Sequence, residues 1–87
     1  MTSGSKKKPE KYQQALDRAE EGQYPKALEF IQSYLADVPN DAEATNDAGT
    51  ILWCQGLSKE ALTYLEKARQ LDPDSPAILW NLFETYL

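Results

Sequence analysis

Six residues of this chain return after 34 positions: Gly22, Ala27, Leu28, Phe30, Ile31 and Pro39 recur as Gly56, Ala61, Leu62, Tyr64, Leu65 and Pro73. A period of this length marks small supersecondary units, each unable to bury its apolar face alone and therefore stacked on its neighbours. Repetition so regular leaves little freedom for an irregular fold. It predicts a surface for partners and no reaction centre.

Eighty-seven residues make one small domain, at a size where a single core only just offsets chain entropy. Apolar residues at 41% and charged residues at 26% are ordinary globular usage. The sequence has no apolar run near the roughly 20 residues of a membrane span, and no apolar leader of the secretory kind. With Cys54 the sole cysteine, no intrachain disulfide can form, and a cytoplasmic location is expected.

The net charge is −5, but Lys6, Lys7 and Lys8 supply three of the nine basic residues, which leaves six against 14 acidic ones from Pro9 onward. A surface near −8 repels nucleic-acid phosphates and anionic lipid and favours basic or apolar partners. Residues 1–8 (MTSGSKKK) show no apolar periodicity and read as a disordered basic leader, with too few charges to bind a membrane or nucleic acid alone.

Apolar spacing predicts five helices and no strand. The first runs from Glu10 to Glu21 on Tyr12, Ala15, Leu16 and Ala19 and stops at Gly22. The second opens at Pro25, carries Ala27, Leu28, Ile31, Tyr34 and Leu35 on one face, and ends before Pro39. Asn40 and Glu43 have capping-box spacing for a third helix through Ala44, Ala48, Ile51 and Leu52 to Cys54. Ser58 is placed to cap a fourth on Ala61, Leu62, Leu65, Ala68 and Leu71, and Ser75 with Pro76 to open a fifth that reaches Leu87. Connections of about three to five residues force successive helices to lie antiparallel.

Thr45, Ala48-Gly49, Leu52, Gly56, Ala61, Leu65, Ala68 and Pro73, within 42–75, fall on the tetratricopeptide pattern, and this stretch resembles a tetratricopeptide repeat. Residues 8–41 form a second unit in register through Ala15, Gly22, Tyr24, Ala27, Ile31 and Pro39, with Lys11, Gln14 and Arg18 where the family has large apolar residues. Leu79, Leu82 and Tyr86 begin a partial third unit at 76–87, where Phe83 stands in place of a small residue. The resemblance implies an all-α right-handed solenoid of stacked antiparallel hairpins, two and a half units long, over residues 9–87.

On the fifth helix, Ile78, Leu79, Leu82 and Tyr86 form a stripe suited to packing on the preceding helices, while Trp80, Phe83 and Leu87 form a second stripe beside it. A patch of that size is expected to bind something: the next helix of a longer protein, if this chain is a fragment, or another copy of the chain. An enzymatic domain after Leu87 is compatible with the former.

In this family the first helices of each unit line a concave groove. The resemblance places there Tyr12 and Leu16, then Asn46, Thr50 and Trp53, then Trp80, Asn81 and Glu84, with a peptide or partner helix as the ligand. The plainer reading of Trp53 and Trp80 is that they fill seams between helices. The subfamily that grips carboxylate tails uses basic residues at places occupied here by Tyr12, Leu16, Asp47, Ala77 and Asn81, so that ligand is not expected. Cys54, with no second cysteine and no histidine nearby, reads as a partly buried packing residue. Without histidine, a phosphate loop or a nucleophile motif, the sequence predicts no catalysis, no metal and no cofactor. The expected role is a protein-binding scaffold, or else a structural, oligomerising segment.

Overall fold

The computed structural model describes residues 8–86, so all of the basic leader except Lys8, and Leu87 in the apolar stripe, lie outside the described residues. Five helices make up the fold: α1 (Glu10–Glu20), α2 (Tyr24–Asp37), α3 (Ala42–Cys54), α4 (Ser58–Leu71) and α5 (Pro76–Tyr86). No strand occurs among the described residues.

The ends of α1 and α3 show why the period carries glycine. Gly22 and Gly56 both sit at φ +80°, a conformation that strains any residue with a Cβ. Around each, two backbone N–H groups turn back to the free carbonyls of the helix: Gly22 and Gln23 donate to Ala19 and Arg18, and Gly56 and Leu57 donate to Trp53 and Leu52. The same stop is thus built twice.

Two of the expected starts differ. Asp41, one residue after Asn40, caps α3: it has extended backbone and its Oδ1 accepts from the Ala44 N–H at 3.0 Å. The Tyr34 hydroxyl donates to the other carboxylate oxygen at 2.5 Å and holds it in place, so the Asn40–Glu43 box does not form. Ser58 is already inside α4, because the Gly56 turn puts Leu57 in the cap position, where no side chain can accept. Ser75 does cap α5, its Oγ accepting from the Ile78 N–H at 3.4 Å.

Each helix packs on its neighbours in sequence, and α5 also touches α3. A Lys11–Asp37 ion pair joins the first turn of α1 to the last of α2, so this pair runs antiparallel. Lys8 bonds Glu43 and Tyr12 bonds Asp47, the same 35-residue offset twice, so α1 and α3 lie side by side and point the same way. Lys8 is therefore tied to the fold, with its ammonium also 4.7 Å from the centre of the Tyr12 ring.

Two apolar clusters fill the interior. Tyr12, Ala15, Ala27, Ile31, Tyr34, Ala44, Ala48 and Ile51 form the first, between α1, α2 and α3. Leu65, Ala68, Ile78 and Leu82 form the second, between α4 and α5. Between α3 and α4 the spacing is set by Gly49: a Cβ there would stand 2.7 Å from Leu65 Cδ2, 2.8 Å from its Cγ and 3.3 Å from the Ala61 carbonyl oxygen. Leu65 is fully buried and cannot swing away.

On α5 the expected covered stripe is only half covered. Ile78 and Leu82 are buried, whereas Leu79 and Tyr86 are 46% and 64% exposed. Leu79 comes 34 residues after Thr45, and Tyr86 34 after Leu52, both of which are buried on α3. Among the described residues no helix stands on α5 as α4 stands on α3. Trp80 and Phe83 are exposed, as expected, with ring centroids 5.9 Å apart. Cys54 is exposed, not partly buried, at the last turn of α3.

Gly49→Ala gains helix propensity worth about 1 kcal/mol. It also forces a methyl against Leu65, and overpacking of this kind costs about 1–3 kcal/mol. A net loss of stability is expected, seen as a lower urea midpoint with an unchanged slope; a midpoint equal to the parent's would mean that α3 and α4 can separate at no cost.

Candidate functional site

The 34-residue period places Leu16, Thr50 and Glu84 at equivalent positions on α1, α3 and α5. These three line two clefts that meet at Thr50. One, of about 300 Å³, lies between α1 and α3 and is lined by Leu16, Ala19, Glu20, Tyr24, Thr50, Ile51 and Cys54. The other, of about 60 Å³, lies mainly between α3 and α5, with Leu65 of α4 at its back, and is lined by Thr50, Trp53, Leu65, Asn81, Glu84 and Thr85.

Side-chain hydrogen bonds tie these helices together at a constant interval. Tyr12 on α1 donates to Asp47 on α3 at 2.5 Å, and Asn81 on α5 donates to Asn46 on α3 at 3.0 Å; both pairs are 35 residues apart. The Asn81 amide gives its second proton to Thr50 Oγ1 at 3.2 Å. Thr50 Oγ1 donates to the Asn46 carbonyl oxygen, and Thr85 Oγ1 to that of Asn81, so the Asn-x-x-x-Thr pairing also repeats at 35 residues. This repetition is the sequence signal through which Thr85 could have been found.

Of the eight residues expected in the groove, Thr50, Trp53, Asn81 and Glu84 share one cleft and Leu16 lines the other. Asn46 is buried behind them as the partner of Asn81. Tyr12 is not on an open face: it is 2% exposed, packed 5.1 Å from the Tyr34 ring and bonded to Asp47, so it belongs to the core. Trp80 lines neither cleft. It lies 59% exposed on an apolar face with Pro76, Leu79 and Phe83. Trp53, at 43% exposed, lines the smaller cleft.

Electrostatically the two clefts are acidic: among the described residues, Glu20 and Glu84 are the only charged ones that line them. Among the described residues no three His, Cys, Asp or Glu side chains are grouped to hold a metal, and no helix is long and apolar enough to cross a membrane. Neither a scan against protein-family models nor a search of the curated proteins returns a match for this chain.

Three ionisable groups at the contacts among α1, α2 and the start of α3 are shifted from their ordinary values. Burial pushes the Asp47 carboxyl above the usual carboxylate range, against the opposing pull of the Tyr12 hydrogen bond. Burial first, and the bond to Asp47 second, push the Tyr12 phenol up. The bond to Asp41, then burial, push Tyr34 up to about 12.

Since folded Asp47 holds its proton more tightly than the unfolded chain does, its contribution to stability is present below the ordinary carboxylate pKa and is lost as pH rises through the raised value. Asp47→Asn keeps an acceptor for Tyr12 and removes that loss. The variant's stability relative to the parent should therefore rise between pH 3 and pH 7 in urea melts, and a flat difference would refute the raised pKa. Tyr12→Phe leaves the carboxylate without its donor and should cost about 1–3 kcal/mol at pH 7.

Proposed function

We propose that the chain is a non-catalytic, tetratricopeptide-like module, a short right-handed solenoid that binds a peptide or partner helix along the face shared by α1, α3 and α5. The observation that carries this reading is the pair of clefts meeting at Thr50, lined at one-unit intervals by Leu16, Thr50 and Glu84. Contacts between successive units that recur at 35 residues support stacking of like units. The larger cleft, with Leu16, Tyr24 and Ile51, suits an apolar side chain of the ligand, and Trp53 supplies an aromatic anchor of the sort that dominates binding energy. Acidic clefts fit a basic or apolar segment of a cytoplasmic protein and disfavour nucleic acid and anionic membrane.

A second reading rests on a different observation. Leu79, Trp80, Phe83 and Tyr86 leave a contiguous apolar surface on α5, which favours self-association through that helix. Three aromatic side chains more than half exposed, together with Leu79, leave about 400–500 Å² per copy. A symmetric pair would thus bury close to the roughly 1,000 Å² at which specific interfaces begin.

Peptides selected from a random display library against the parent should bind Trp53→Ala at least about tenfold more weakly while the melting temperature moves by only a few degrees. Failure to enrich any peptide, or equal binding by the variant, would remove the groove reading. For self-association, sedimentation from micromolar to millimolar protein should show a concentration-dependent mass that Trp80→Ala lowers. A parent that stays monomeric throughout would remove the second reading.

A further inference from the structure

The smaller cleft carries a more specific message in the direction of its hydrogen bonds. Thr50 Oγ1 gives its proton to the Asn46 carbonyl, so toward Asn81 it can only accept. That fixes the Asn81 amide: both of its protons point inward, one to Thr50 Oγ1 and one to Asn46 Oδ1, which leaves its carbonyl oxygen as its remaining group. Thr85 Oγ1 likewise gives its proton to the Asn81 backbone carbonyl. Apart from the indole N–H of Trp53, every side-chain proton donor lining the cleft is directed into the protein.

What remains for a ligand is a set of acceptors, the side-chain oxygens of Asn81 and Thr85 and the carboxylate of Glu84, beside the Trp53 side chain. No lysine or arginine lines either cleft, and none pairs with Glu84 among the described residues. Acceptors, a carboxylate and an aromatic side chain around one small space are complementary to a cation rich in N–H donors. At about 60 Å³ the space admits one head group and no folded segment.

We propose that this cleft is the receptor for one basic side chain, lysine or arginine, of the segment bound along α1, α3 and α5. The proposal rests on the groove reading and adds its chemistry: an apolar residue of the ligand in the cleft at Leu16 and a cationic one in the cleft at Glu84. Carbonyl and hydroxyl oxygens receive the N–H donors, Glu84 neutralises the charge, and Trp53 covers the cation.

The test is a titration of the ¹⁵N-labelled full chain with butylguanidinium, butylammonium and the neutral, similarly shaped butylurea. Either cation should shift the Trp53 indole, the Thr85 amide and the Asn81 side-chain amide, with an affinity at least about fivefold above that of butylurea and lower in high salt. Glu84→Gln, a substitution at an exposed position, should weaken the cations about fivefold or more and leave butylurea unchanged. Equal binding of butylurea, indifference to Glu84→Gln, or shifts confined to other residues would each overturn the cation site. The display-selected peptides separate the two failures. Peptides that bind through Trp53 yet tolerate norleucine at every Lys and Arg would end the cation site and keep the groove, whereas enrichment of no peptide would end both.

Discussion

The fold depends on the absence of one side chain. At Gly49 the backbone of α3 lies against Leu65 with no room for a Cβ, and that contact sets the distance and the rotation of α3 relative to α4. With Gly49 turned to α4, Thr45, Ala48 and Leu52 turn inward and are buried. Helical geometry then sends Asn46, Thr50 and Trp53, at intervals of four and three residues, to another side of the same helix. The polar face of α3 is therefore a consequence of how tightly its other side is closed.

Much of this was legible because it depends on local backbone needs. Gly22 and Gly56 end helices since only glycine adopts φ +80° cheaply, and apolar spacing marks the buried faces of α1 to α4. Ser58 lost its cap position to the Gly56 turn beside it, and the other misreadings arose where the deciding contact comes from another helix. Asn40 and Asp41 both suit a cap, and Tyr34 chooses between them from the helix before. Tyr12 occupies the place that Asn46 has one unit later, but its packing on Tyr34 and its bond to Asp47 put it in the core. Leu79 and Tyr86 repeat the places of buried residues, yet burial is a property of what stands opposite, which a periodic pattern does not record.

The charge balance acquires a location in three dimensions. An excess of carboxylates spread over a surface says little about any one partner, but here Glu20 and Glu84 are, among the described residues, the only charges in two adjoining clefts. Apart from the Trp53 indole, the side-chain donors beside Glu84 are already satisfied from within by a relay through Asn46, Thr50, Asn81 and Thr85. The same hydrogen bonds that tie α5 to α3 also determine the polarity of the cleft between them. Cohesion between the helices and the polarity of the cleft are thus not separable at these residues.

Phe83 stands 34 residues after Gly49, the point where α3 lies against Leu65 of α4, and 68 after the buried Ala15. At Gly49 not even a methyl group fits; at Phe83 a benzyl group projects. A helix laid on α5 could not reach the depth at which α4 meets α3, and would ride on the ring at a wider spacing and another rotation. The contact that joins α3 to α4 cannot be copied at Phe83, so anything docked on this face has to follow a geometry of its own.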